Sequence, residues 1–380
     1  MKKICFISGS RADFGLLKSL MQYIQKDKNF LFQLLVTGSH LSKNFGFTYK
    51  EILKCGFKIN GYINIKIKGD EPNDICKSTS IAVDLFSKKF KKIKPDIIVL
   101  LGDRYEIFAA CSSALIHRIP VCHLHGGELT RGAFDNALRH SITKMSHIHL
   151  VANKKYAQRI KQLGENPKNI FTVGGFGVDQ IKKTILLNKK ELEKKIKFKF
   201  GKKNLLVTYH PVTLEDNTSK KQITELLKAL DQFKDTKIIF TKTNADTNGK
   251  IINTMIEKFV KKNKSRCCSF KSMGIVNYLS TLNIVDGVVG NSSSGLSEVP
   301  SFKKATINLG NRQKGRLMAA SVINSKIETS AIISSIKKIY TKSFKKKLKK
   351  TLNPYSGKNV SNKMLKILNN YDFSKYTKNI

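Results

Sequence analysis

The strongest constraint on the fold is an alternation that runs through most of the chain. Bounded apolar runs of strand length, Ile4 to Ile7, Leu31 to Val36, Ile97 to Leu101, Val121 to Leu124 and Ile148 to Val151, are separated by stretches of helical periodicity such as Leu16 to Ile24. Strands that are apolar throughout need cover on both faces, which is the condition of a parallel sheet built from β-α-β units. A second series follows Gly174-Gly175-Phe176-Gly177. Its strands are expected at Asn204 to Thr208, Lys237 to Phe240, Ser269 to Phe270, Gly287 to Val289 and Ala305 to Asn308, with helices at Ser219 to Phe233 and Lys250 to Lys262. The expected fold class is α/β, with two doubly wound halves at 1–176 and 177–356 and a Lys-rich helix at 182–198 opening the second. A chain of 380 residues suits two domains of ordinary size. A last helical pattern, Ser361 to Leu368 within 357–375, is expected to cross back onto the first half.

Charge alone points elsewhere. Lys and Arg number 70 against 27 Asp and Glu, a net +43, which taken by itself describes a basic nucleic-acid-binding protein or one that meets an anionic membrane. The distribution argues against both. Only nine of the basic residues are Arg, and the Lys residues run from Lys2 to Lys378 without forming one arm, as expected of a solvated surface. Six of the nine Arg (Arg11, Arg104, Arg131, Arg139, Arg312 and Arg316) sit instead in short segments dense in Gly, Ser, Asp and His. A planar guanidinium in such a segment grips phosphate or carboxylate in a fixed orientation. The expected partner is therefore an anionic small molecule, with no nucleic acid and no membrane. Seven Cys without CxxC spacing, three of them in apolar runs, imply no disulfide framework. The first apolar run is far shorter than a secretory core or a membrane span, so a cytoplasmic protein is expected.

In open α/β sheets ligands bind outside the carboxyl ends of the strands, and the informative motifs here all fall at such ends. Ser8 to Gly15 follows the first strand and opens the first helix, with Arg11 to supply charge, although the G-x-G-x-x-G dinucleotide spacing is absent. Gly102-Asp103-Arg104 sets a carboxylate beside a guanidinium, with Asp103 also placed to cap the next helix. His123-Leu124-His125-Gly126-Gly127-Glu128 puts two histidines on one side of a strand, which with Glu128 could be imagined as metal ligands, but a third clearly placed ligand is missing. Proton transfer is the better use: Glu128 and Asp135 join Asp103 as carboxylates in one region, where like charges push their proton affinities apart. Pro211 stops a strand at His210. Gly290 to Gly295, with Ser292 and Ser293, reads as an anion cradle, with Glu298 about two turns into the following helix and placed to accept from ribose hydroxyls. Gly310 to Arg316 lacks the Gly-Lys-Ser/Thr end of a P-loop.

Taken together, Ser8 to Gly15, Gly102 to Glu106, His123 to Glu128, Arg139 to Ser146, Gly290 to Gly295 and Asn311 to Arg316 resemble the hydrolysing UDP-N-acetylglucosamine 2-epimerases of bacterial sialic acid biosynthesis, in order over residues 1 to about 325. The resemblance implies a GT-B fold, two Rossmann-like domains with the active site in the cleft between them, a homodimer, and no metal or redox cofactor. It implies conversion of UDP-N-acetylglucosamine and water to N-acetylmannosamine and UDP. By the family pattern Asp103, Glu128 and Asp135 are the acid and base candidates, with His210 in the catalytic set at the diphosphate. Arg11, Ser292, Ser293 and Arg312 would hold phosphate, Glu298 the ribose, and Arg104 the sugar side, with Asn244 facing the sugar or cleft. A sister epimerase acting on a nucleotide-linked 2,4-diacetamido-2,4,6-trideoxyhexose, for legionaminic acid synthesis, would carry nearly the same motifs.

Overall fold

The structure, a computed structural model, describes residues 1–69, 71–129, 134–212, 218–243 and 249–373. The chain divides into two compact units, one comprising Met1–Glu128, Phe134–Gln180 and the segment from Gly357, the other comprising Ile181–Ser356 together with Leu129. The division falls inside the helix Phe176–Lys183.

The first unit holds seven strands: β1 (Lys2–Ser8), β2 (Phe30–Thr37), β3 (Gly61–Ile63), β4 (Ile97–Leu101), β5 (Val121–Leu124), β6 (Ile148–Val151) and β7 (Ile170–Thr172). They form one parallel sheet in the order β3-β2-β1-β4-β5-β6-β7. Successive side chains of a strand point to opposite faces, and β1 shows why its apolar run is continuous. Ile4 and Phe6 enter a core that also takes Leu17 and Leu20 from the helix Arg11–Lys26 and Val360, Met364 and Leu368 from the helix Val360–Asn370. Cys5 and Ile7 enter the opposite core with Phe86, Phe90 and Ala110. Each fully buried Ile, Leu, Val, Phe or Met among these contributes about 1.5–3 kcal/mol. The helix Val360–Asn370 is tied down where Ser361 donates its backbone N–H (3.3 Å) and hydroxyl (2.6 Å) to the buried carboxylate of Asp179.

The second unit holds β8 (Lys203–Thr208), β9 (Thr236–Thr241), β10 (Cys267–Phe270), β11 (Gly287–Gly290), β12 (Ala305–Leu309) and β13 (Val322–Ser325), parallel in the order β10-β9-β8-β11-β12-β13. It too has a core on each face of its sheet.

Two differences from the sequence expectation have physical causes. Strands β3, β7 and β13 carry no apolar run because they are sheet edges, where one side of the strand is less covered. The single helix expected at 182–198 is two helices, Phe176–Lys183 and Lys189–Ile196. The second starts afresh at Asn188, whose side chain accepts from the Glu191 backbone while Glu191 answers at the Asn188 backbone, a reciprocal cap that outweighs the helical propensity of the lysines. Among the described residues no helix is long and apolar enough to cross a membrane.

Candidate active site

In the first sheet β1 lies beside β4, while the chain leaves β1 towards β2 and β4 towards β5, so the carboxyl ends of β1 and β4 form a topological switch point. Three loops meet there: Ser8 to Ser10, Gly38 to His40 and Gly102 to Arg104. Beneath them lies Glu106, fully buried in the first turn of the helix Tyr105–Ile116, with Oε1 accepting from Arg104 Nε at 2.7 Å. A Cβ at Gly9 would lie 2.6 Å from that same Oε1, so a larger residue there would displace the buried Glu106 carboxylate. Asp13 sits in the first turn of Arg11–Lys26, accepting from Gly9 N at 3.3 Å, and the helix is capped by the Ser10 hydroxyl. Burial, reinforced by the Glu106 charge and opposed by Arg104, pushes the Asp13 carboxyl up to about 6. His40 is buried between Ser8 Oγ on Nε2 and Thr48 Oγ1 on Nδ1, both at 2.8 Å, and burial pushes it down to about 4. Arg11 opens the helix, partly exposed, at this same edge.

The next two strand ends carry a second, linked group. Arg139 is 2% exposed and forked: Nη2 donates to the Asp103 carboxylate, and Nη1 donates to the His125 carbonyl at 2.9 Å. His125 Nδ1 lies 2.7 Å from Glu128 Oε1. Asp135 begins the helix Asp135–Met145 one turn before Arg139, on the same helical face. Arg139 thus brings Asp103 and the Glu128 loop together, with Asp135 on the helix that carries the tie. His123, on β5, has Nε2 at 2.8 Å from the Gly102 carbonyl and Nδ1 at 3.2 Å from Thr143 Oγ1. Burial pushes it down to about 3, so the ring is neutral and Nε2–H donates to Gly102, bracing the turn that presents Asp103.

Three expectations change here. Arg139 does not offer its guanidinium to an outside anion, because two of its nitrogens are spent inside the protein. Asp103 does not cap the helix: Arg104 occupies that position without a side-chain cap bond, and Asp103 turns to Arg139 instead. His123 and His125 do not share a strand face, since β5 ends at Leu124 and His125 has a left-handed φ of +67°.

In the second sheet β8 and β11 are neighbours at the corresponding switch point. Asn291, fully buried after β11, clamps the backbone of His210 after β8. Its Oδ1 accepts from His210 N and its Nδ2 donates to His210 O, each at 2.7 Å. The Asn291 carbonyl in turn accepts from Arg312 Nη1 at 3.1 Å and Gln313 Nε2 at 2.7 Å. Gly290 makes the crossing possible: at φ +142° a Cβ would lie on the Thr208 carbonyl. Ser292 and Ser293 are partly exposed at this edge. Glu298 is not two turns into a helix; the helix is the single turn Ser294–Ser297, Pro300 follows, and Glu298 is its C-cap, accepting from the Ser294 hydroxyl. Asn244 and Arg131 lie outside the described residues.

Asp13, Glu106, Asn291 and Gln313 lie within motifs visible in the sequence but are not singled out by them, and His40 is missed altogether. Each follows a strand end closely, which is the signal that marks them.

A family model described as UDP-N-acetylglucosamine 2-epimerase matches residues 22–369. The chain belongs to that family. Among relatives of this epimerase-family chain, a Campylobacter jejuni protein named GDP/UDP-N,N'-diacetylbacillosamine 2-epimerase (hydrolyzing) is 45% identical, over 90% of this chain and 89% of its own. The Escherichia coli polysialic acid biosynthesis protein P7 is 38% identical over 99% of this chain and 95% of its own. Among solved structures, the Neisseria meningitidis UDP-GlcNAc 2-epimerase bound to UDP-GlcNAc superposes with a TM-score of 0.82 at 18% identity, covering 97% of this chain and all of that one. That likeness establishes the fold, GT-B with two Rossmann-like units.

Proposed function

We propose that the chain is a hydrolysing 2-epimerase that converts UDP-N-acetylglucosamine and water to N-acetylmannosamine and UDP. The observation that carries the reading is the linked set Asp103, Arg139, His125 and Glu128 at the carboxyl ends of β4 and β5, in a chain of this family. The chemistry asks for such a set. The C2 hydrogen of the sugar has no neighbouring carbonyl to acidify it, so it leaves as a proton only while the C1–O bond to the diphosphate breaks and the ring oxygen carries developing positive charge. A carboxylate takes the proton, a C1=C2 double bond forms, and UDP departs. An acid then protonates C2 from the opposite face while water adds at C1. Asp103, Glu128 and Asp135 serve as acid and base, and Arg104 and Asn244 meet the sugar. His210, Arg11, Ser292, Ser293 and Arg312 hold the diphosphate, with Glu298 on the ribose. The enzyme works in the cytoplasm as a homodimer, without metal or redox cofactor; sedimentation at twice the chain mass checks the assembly.

A second reading is favoured by one finding, the 45% identity to a hydrolysing diacetylbacillosamine 2-epimerase. In it the same elimination and hydration act on a nucleotide-linked 2,4-diacetamido-2,4,6-trideoxyhexose. Purified protein incubated with UDP- and GDP-linked forms of both sugars, with products identified by NMR, separates the readings. Higher kcat/KM on UDP-N-acetylglucosamine supports the first, and higher kcat/KM on a diacetamido sugar supports the second. Salt-sensitive retention of RNA without turnover of any nucleotide sugar would replace both with a nucleic-acid binder.

A further inference from the structure

We propose that His125 is a positioning residue for Glu128, orienting that carboxylate through imidazole Nδ1; the inference rests on the acid–base reading of Glu128 given above. The backbone is the first observation. His125 holds φ +67°, a conformation that residues other than glycine adopt rarely and keep only where the surroundings impose it. Those surroundings are specific. The His125 carbonyl accepts from Arg139 Nη1, whose other terminal nitrogen holds Asp103. The ring lies on Phe176, with centroids 4.7 Å apart. An extended residue at 125 would carry β5 onward and send its ring to one face of the sheet, whereas the left-handed turn folds the imidazole back towards the residue three positions ahead.

The side chain is the second observation. Glu128 is 2% exposed, and a buried carboxylate needs donors. His125 Nδ1 lies 2.7 Å from Oε1, the separation at which an imidazole N–H would serve as one. Its other nitrogen, Nε2, is buried with no hydrogen-bond partner among the described residues, so the polar engagement of the ring is with Glu128. In this proposal Nδ1 carries the hydrogen, since a carboxylate can only accept. The imidazole therefore fixes one carboxylate oxygen and with it the direction of the other. Asp103 and Glu128 are held to each other's frame by one continuous path: the Asp103 carboxylate, the Arg139 fork, the His125 backbone, the His125 ring and the Glu128 carboxylate.

Two substitutions separate the ring from the backbone. In His125→Gly the turn relaxes and the donor is lost. In His125→Asn the side chain tolerates the left-handed turn and its amide can donate from about the place of Nδ1. The expected result is a fall of about 100-fold in kcat for His125→Gly, with KM changed far less, because displacing a reacting group by an ångström has that effect. His125→Asn should recover at least about tenfold of that loss. Wild-type kcat in the Gly variant would overturn the proposal, and so would an Asn variant as slow as the Gly variant while thermal unfolding shows both folded. A second arm needs no turnover. In protein labelled with 15N-histidine, an exchange-protected Nδ1–H signal should vanish in His125→Asn and move in Glu128→Gln; an unmoved signal in Glu128→Gln would refute the contact itself. A wild-type chain that turns over no nucleotide sugar would sink the proposed function, whereas the imidazole signal would still decide whether His125 holds Glu128.

Discussion

The two units present the same topological position, a switch point at the carboxyl ends of neighbouring strands, built from opposite materials. In the first unit it is made of ionisable groups: buried Asp13 and Glu106 with partly exposed Arg104 on one side, partly exposed Asp103 with buried Arg139 on the other, and His40 and His123 buried and neutral. In the second it is made mainly of amides, hydroxyls and backbone with one guanidinium: Asn291 clamping His210, Gln313 and Arg312 on the Asn291 carbonyl, and a run of serines. The difference suits the proposed roles, proton transfer in the first unit and most of the diphosphate contacts in the second. Proton transfer needs groups that change charge, and burying them demands dense pairing. Holding a diphosphate needs donors that stay where they are, which amides, hydroxyls and an always-charged guanidinium supply without titrating.

The sharpest way to break this contrast is to neutralise the carboxylates. Asp103→Asn, Glu128→Gln and Asp135→Asn should each lower kcat by about 10²–10⁴-fold while calorimetry finds UDP affinity unchanged; near-normal turnover in all three would dissolve the distinction. Next in size is Arg139→Met, which leaves the Asp103 carboxylate without its guanidinium. Urea unfolding should report a loss of about 3–5 kcal/mol, the range for one partner removed from a buried ion pair. The matching probe of the second unit is Asn291→Leu. It strips the clamp from the buried His210 backbone, so stability should fall by about 1–3 kcal/mol with the same loss at pH 5 and pH 8, because no titrating group is removed.

A last effect has a sign that distinguishes the units. The Asp13 carboxyl is raised from 3.8 to about 6, so between those values the folded chain holds the proton more tightly than the unfolded chain. The stability this confers is complete below pH ~4 and is lost as pH rises through about 6. Asp13→Asn should therefore be more stable than wild type near pH 8 by up to about 3 kcal/mol, with the gain shrinking to nothing near pH 4. A gain independent of pH would assign the effect to packing.

Legibility in the sequence followed burial. The central strands Ile97–Leu101, Val121–Leu124 and Ile148–Val151 match the apolar runs residue for residue because both faces of each are covered. The edge strands Gly61–Ile63, Ile170–Thr172 and Val322–Ser325 leave no such trace. For the site, strand-end segments with glycine were visible as segments, but their pairings were not. That Arg139 reaches Asp103, or that Gly9 and Gly38 make room for Glu106, depends on which strands lie side by side, and residue types do not encode that directly. His40 shows the same limit from the other side. Its Gly-Ser-His turn after an apolar run carries the same signal as the Gly102 turn, yet nothing local says that Ser8 and Thr48 will close around the ring.

The central claim, that the carboxylates of the first unit strip the C2 proton as the nucleotide leaves, is tested most directly by turnover in deuterated water. The account predicts that the free sugar released carries deuterium at C2, one atom per molecule, with UDP formed in equal amount. Free sugar that keeps its original hydrogen at C2 would contradict it.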